Sequence, residues 1–224
     1  MLPSRRVLFV ASTVATLGAC ATASGKHTDV NAPAPSPTAS GVIVGTNTSG
    51  IARAAIVAAT AGGAAGELIG KQMDRQAKEL AQNIPNARVE RIGEGIVVTL
   101  FTGQLFQFDS DRVLGESERN LRALARSLDK YRGTSLLIVG HTDSIGTTAH
   151  NHDLSLRRAR ATAAYLTSQG TLLERMKSDG RGEAEPAGSN DTEAGQARNR
   201  RVEIAIYADA AMRAQFAAQA MKKK

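Results

Sequence analysis

Opposite charges meet within residues 136–160, LLIVGHTDSIGTTAHNHDLSLRRAR. A carboxylate, Asp143, follows a short apolar run, Leu136-Leu137-Ile138-Val139, that is closed by Gly140. Some fifteen residues later three arginines, Arg157, Arg158 and Arg160, crowd one stretch. A carboxylate can receive an ammonium, and a planar guanidinium can clamp a carboxylate through two parallel hydrogen bonds. Held together, such groups would suit a small ligand carrying both an ammonium and a carboxylate. The same charges could simply pair with one another, and arginines on a helix also make an ordinary solvated basic face. A metal is the other option, because His141, His150 and His152 lie close to Asp143 and Asp153, and His-x-His-Asp can ligate zinc. No further spaced ligand set supports it, His27 is remote, and neither H-E-x-x-H nor G-x-S-x-G occurs. The expectation is binding without catalysis, with no metal and no cofactor.

The elements that must position these groups are legible. The apolar run reads as a buried strand, and the polar stretch after it leads into a helix from Asn151, as its N-cap, to about Gln169. In open α/β sheets ligands collect outside the carboxyl ends of strands, which is where Asp143 falls. Leu156, Ala159, Ala163 and Leu166 form the helix's apolar stripe. At about 100° per residue Arg158 falls on its margin beside Leu154 and Tyr165, Arg160 at a comparable angle on the other flank, and Arg157 outward. Periodicity alone does not choose among the three.

Around this unit the spacing predicts a hairpin, 88–94 with 95–100, turning at Gly93-Glu94-Gly95. Phe106 and Phe108 alternate about Gln107 and are expected on one face of the core. Residues 116–131 are a helix with Leu121, Leu124, Ala125 and Leu128 inward, ended by Gly133. A short strand and polar loop over 176–190, a helical turn over 192–199 and a strand over 201–207, with Val202, Ile204 and Ile206 on one face, complete the pattern. The sum is an α+β, two-layer domain: a mixed β-sheet with helices on one face.

Three motifs together, GHTDSIG…N…LS..RA, then G.GE..P…N, then NRRVEI, resemble the peptidoglycan-binding domain shared by OmpA, Pal and MotB. The resemblance covers roughly residues 87–207. It implies that Asp143 and Arg158 grip the diaminopimelate of the peptidoglycan stem peptide, and it is this spacing that selects Arg158. Asn151 and Leu154 belong to the same motif. Phe108-Asp109 matches a step that in the family lies against the ligand pocket, although Asp109 reads equally well as a turn residue. Arg200, in the Asn199-Arg200-Arg201 step, completes the candidate set, with backbone support as its other reading. The resemblance also implies that the HTD histidine is no metal ligand.

The flanks carry different signals. Residues 1–19 read as an export signal, with Arg5 and Arg6 before a short apolar run. The single cysteine, Cys20, follows Leu17-Gly18-Ala19, an order that resembles the lipobox of bacterial lipoproteins; lipidation there implies an outer-membrane anchor facing the periplasm. Residues 20–50, rich in Ala, Pro, Ser, Thr and Gly, read as a tether. Residues 51–83 combine Gly62, Gly66 and Gly70 at four-residue spacing, a glycine-zipper face suited to close helix packing or self-association, with a helix over 71–82. Residues 208–224 read as a basic helix or tail with an Asp N-cap and a triple-lysine end. Aromatic residues are only 4% of the chain and Trp is absent, so the 42% hydrophobic fraction rests largely on alanine. The formal charge of +7 is compatible with anionic polymers, and export argues against nucleic acid. The alternative is a stator-like or secretion-associated membrane subunit, which would need a spanning helix with a proton-carrying acid; Glu67 has too few apolar neighbours for that.

Overall fold

The computed structural model describes residues 42–44, 50–107 and 109–222. The expectations for residues 1–19, Cys20, most of the tether, Phe108 and the last two lysines lie outside the described residues. The strands are β1 (Val42–Val44), β2 (Arg88–Ile92), β3 (Gly95–Phe101), β4 (Thr134–Gly140), β5 (Met176–Gly180) and β6 (Arg201–Ala208), and all but β5 carry the β-branched side chains that favour a pleated strand. Between them lie α1 (Ile51–Ala58), α2 (Gly63–Asn83), α3 (Thr102–Leu105), α4 (Gly115–Lys130), α5 (Thr148–Ser168), α6 (Glu193–Asn199) and α7 (Ala210–Met221). The strands make one mixed sheet in the order β1-β2-β3-β6-β4-β5. β6 runs antiparallel to both β3 and β4, while β4 and β5 are parallel. Parallel neighbours need a crossover, and α5 supplies it, lying across the sheet. The hairpin forms as expected, with Gly93 at φ 52° in its turn.

Alternation along the strands sorts the side chains. Ile96, Val98, Leu100, Leu136, Ile138, Val202, Ile204 and Ile206 face the main core, where α2, α4 and α5 pack on them. Within residues 87–207 the long helices thus cover one face, as expected. The opposite face has its own apolar patch, Ile92, Val97, Val139 and Ala205, and α1 lies over it with Ala52 and Ile56 buried. α1 is apolar at every position but Arg53. Its Arg53 reaches the same face, donating to Glu90 at 2.6 Å and to Glu203 at 3.3 Å. Residues 42–44, expected within the tether, run parallel to β2 as an edge strand, in keeping with their Val-Ile-Val sequence.

The glycine-zipper stretch is engaged within the chain. The Glu94 carboxylate accepts hydrogen bonds from the backbone N–H groups of Ala61 and Gly62, at 2.7 and 2.8 Å, at the start of α2. Negative charge is favoured at a helix N-terminus. A Cβ at Gly66 would run into that carboxylate, so the missing side chain is what admits it. Gly62 opens the helix at φ 70°, and Gly70 has open space around it apart from Arg91 at 3.9 Å from a notional Cβ.

The N-cap of α5 corrects the expectation. Thr147, not Asn151, caps the helix, its hydroxyl accepting from the His150 N–H at 3.2 Å. The helix therefore begins four residues early and draws Asn151 into its buried first turns. Asp209 caps α7 as read, accepting from Met212 N at 2.7 Å, and Met212 and Phe216 dock the helix against α2 and the core.

Candidate functional site

The site forms where β4 ends and α5 begins, and two glycines allow it. Gly140 and Gly180 are partners across β4 and β5, and the α5 backbone at Ser155 and Leu156 lies against both. The Ser155 hydroxyl accepts from Gly182 N at 2.9 Å and donates to the His152 carbonyl at 2.8 Å, tying the helix to the loop after β5. The chain past Gly140 then turns Asp143 into a cleft of about 550 Å³. Asp109, Asn151, Leu154, Arg158 and Arg200 line it with Asp143, so every described residue of the candidate set is brought to one place.

Arg158 is set apart from its neighbours by burial. It is 5% exposed, whereas Arg160 is exposed and Arg157 half-buried beside Asp153 and Asp111. Its Nε donates to the Ser110 carbonyl at 2.9 Å, and its guanidinium carbon sits 5.5 Å from the centre of the Phe106 ring. Such stacking over an aromatic face is attractive for a cation. The two terminal nitrogens have no hydrogen-bond partner among the described residues. Burial pushes this guanidinium below its ordinary value, opposed by the nearby Asp109 and Asp143 carboxylates; an arginine keeps its charge at neutral pH regardless.

Asp143 is 6% exposed and does not pair with Arg158. Its Oδ2 accepts from Arg200 Nη1 at 2.6 Å and its Oδ1 from the Ile145 backbone N–H at 3.1 Å. The ionic partner left open by the sequence is therefore Arg200. Asn151 holds the loop from below, donating to the Asp143 carbonyl at 3.3 Å and to Glu183 at 2.7 Å. Glu183 also accepts from the Thr148 hydroxyl at 3.0 Å. Asn199, next to Arg200, ties down the loop before α6, accepting from Ala187 and Gly188 N–H and donating to Gly188 O and Asn190.

Asp109 sits at φ 49° in the loop after α3 and meets His150 of α5 at 3.0 Å across the cleft. The histidines that sequence proximity had grouped thus diverge. His150 is exposed at the cleft, and His141 is fully buried at the end of β4, neither ring nitrogen having a hydrogen-bond partner among the described residues. No group of three or more His, Cys, Asp or Glu among the described residues is arranged to hold a metal. Sequence reading missed Phe106 as the platform for Arg158, Ile145 at the cleft wall and Glu183 as the anchor of Asn151. Glu183 was within reach, standing in the G.GE motif; the other two depend on how the loops fold back.

The site is thus a cleft lined by an acid and two arginines at the carboxyl end of an inner strand of a mixed sheet. Residues 105–200 match the OmpA family, and residues 38–77 match the glycine zipper family. The chain is 43% identical over 101 residues to outer membrane protein A of Bordetella avium, covering 45% of this chain and 52% of that one. It is 33% identical to a peptidoglycan-associated lipoprotein of Pseudomonas putida, covering 50% of this chain and 68% of that one. Among solved structures, the cell wall anchor of the T6SS from Pseudomonas aeruginosa aligns with TM-score 0.51 at 32% identity, over 63% of this chain and 97% of that one. The chain belongs to the OmpA family. It spans about half the length, or less, of the curated relatives it matches first, 52% and 32% of them.

Proposed function

We propose that the cleft binds peptidoglycan without catalysis, gripping the free end of the diaminopimelate in the stem peptide, with Arg158 on its carboxylate and Asp143 on its ammonium. The observation that carries this is the way Arg158 is held. One nitrogen is fixed on Ser110, the guanidinium is stacked on Phe106, and its terminal nitrogens are left open in the cleft that Asp143 also lines. A preset fork loses little freedom when a carboxylate arrives. Asn151, Leu154, Phe108, Asp109 and Arg200 frame the ligand in this reading, Phe108 by its place in the motif alone.

The chain would act as an outer-membrane lipoprotein, anchored through lipid on Cys20 and facing the periplasm, that ties the membrane to the wall. Relatives named peptidoglycan-associated lipoprotein and outer-membrane lipoprotein support this. The likeness to a secretion-system wall anchor favours a second reading, in which the same domain serves a stator-like or secretion-associated assembly. No helix among the described residues is long and apolar enough to cross a membrane. Palmitate labelling of Cys20 separates the two, since a labelled cysteine excludes the stator. The ligand is tested by displacement: free diaminopimelate should release the protein from purified sacculi, and ornithine should do so far less well. Release by neither compound would remove the diamino acid as the ligand.

A further inference from the structure

We infer that Arg200 forms a second carboxylate seat in this cleft, so that the ligand recognised is a peptide segment with two carboxylates and one ammonium. The inference rests on the zwitterion-gripping reading above and extends it by one group. Arg200 and Arg201 are adjacent but serve different ends. Arg201 is almost wholly enclosed, its side chain 6% exposed, and spends all three nitrogens internally: Nε on Glu203 at 2.9 Å, Nη1 on Asn199 O at 3.4 Å and Nη2 on Glu185 O at 3.0 Å. It is a structural arginine. The Arg200 side chain is 35% exposed, lines the cleft and spends one nitrogen, Nη1, on Asp143. Its Nη2 and Nε have no partner among the described residues, which leaves two donors in the fork geometry that matches a carboxylate.

The anchoring of Arg200 suits a seat. Its carbonyl accepts from Thr102 N at 2.8 Å and its N–H donates to Gln196 O at 3.0 Å, so the backbone is fixed between the start of α3 and α6. Asp143 need not release Arg200 to receive an ammonium, because an ionised carboxylate has about four acceptor sites and two are occupied here. One inward carboxylate lining the same cleft as two open forks, Arg158 and Arg200, is then complementary to a ligand in which an ammonium lies near two carboxylates. A stem peptide offers that set where the residue before the diamino acid, joined through its side-chain carboxyl, keeps its own α-carboxylate. Amidation of that carboxylate removes the second charge and leaves the zwitterionic tip untouched.

The test is calorimetric titration of the purified full chain with two synthetic tripeptides, L-alanyl-γ-D-glutamyl-diaminopimelate and the same peptide with the glutamyl α-carboxylate amidated, both with the diaminopimelate carboxyl beside the acylated amine blocked as an amide so that no third carboxylate can take the seat. Wild type should bind the first roughly five- to tenfold more tightly, the scale of one partly exposed charge-assisted contact. Arg200→Gln should bind both peptides alike, and both more weakly than wild type binds the amidated one, because it also takes a partner from Asp143. Equal binding of the two peptides by wild type, or an equal weakening of both by Arg200→Gln, would overturn the seat and leave Arg200 as a residue that only orients Asp143. Should Arg200→Gln fail to fold, Arg200→Lys carries the test: it should keep the charge and lose part of the preference, and a preference equal to wild type counts against a forked seat. Asp143→Ala reports separately on the underlying reading; it should lose both peptides, and undiminished binding of both would overturn that reading and the seat with it.

Discussion

Gly140 and Gly180 face each other across the parallel pair β4 and β5, and the backbone of α5 rests directly on both. A Cβ at Gly140 would strike the Ser155 carbonyl, and one at Gly180 would come within 2.6 Å of Leu156 N. Both obstacles are backbone, which cannot swing aside as a side chain can. Gly140→Ala should cost about 1–3 kcal/mol by overpacking, read from urea unfolding. It should also lift the start of α5, which carries Asn151 and Arg158, and so weaken retention on peptidoglycan. Gly115→Ala, with nothing within 4 Å of its notional Cβ, is the control and should cost nothing. Equal losses at both positions would mean that close approach of helix and strand is not what Gly140 provides.

His141 makes stability depend on pH. Burial, with the positive charges of Arg201, Arg181 and Arg53 outweighing Glu203, lowers its pKa to about 3. Between there and the ordinary value near 6.5 the unfolded chain binds a proton that the folded chain refuses. Stability therefore falls as pH drops from about 6.5 towards 3, and this contribution is fully retained above that window. His141→Phe removes the titrating group. In that variant the slope of unfolding free energy against pH should be shallower by up to about 1.4 kcal/mol per pH unit, the value for one proton. An unchanged slope would place the acid sensitivity elsewhere.

Arg53 bolts α1 to the back of the sheet. Its carboxylate partners, Glu90 and Glu203, are buried, and each keeps a second arginine, Arg88 or Arg201. Arg53→Met should therefore cost less than stripping a buried charge of all partners, about 1–3 kcal/mol in thermal or urea unfolding. Burial pushes the Glu203 carboxyl up, but the charge and hydrogen bond of Arg201, helped by Arg53, more than offset it and hold the group below its ordinary value. The stability from Glu203 is thus present above the unfolded carboxylate value and is lost as pH falls through the folded one. Without Arg53 that loss should begin at higher pH, and an acid limb superimposable on wild type would contradict the bolt.

Arg158→Lys separates charge from geometry. A lysine keeps the positive charge but cannot hold the Ser110 carbonyl through Nε while offering a planar fork to a ligand. Affinity for the diaminopimelate tripeptide should fall by roughly tenfold or more, with the unfolding midpoint little changed. Wild-type affinity in this variant would show that a point charge is enough.

The strands and long helices were legible because their signals are local. Val202, Ile204 and Ile206 alternate, and Leu121, Leu124 and Leu128 repeat at helical spacing, so periodicity assigned element and face together. Asp143 was legible as the acid at the end of a strand. Arg158 was not separable from Arg157 and Arg160 by angle, since its burial depends on Phe106 and Ser110, which arrive from a loop some fifty residues earlier. The start of α5 was misplaced because Asn151 and Thr147 are both good caps, and packing against Glu183 drew the asparagine inside. The place of α1 was not legible either. Eight residues rich in alanine carry a weak pattern, and the partners of Arg53 lie 37 and 150 residues away.

Co-sedimentation with purified peptidoglycan, comparing wild type with Asp143→Ala and Arg158→Ala, tests the central claim most directly. The account predicts that wild type pellets with the polymer while both variants stay largely in solution, each still folded by circular dichroism. Equal retention of all three proteins would show that this cleft is not where the wall is held.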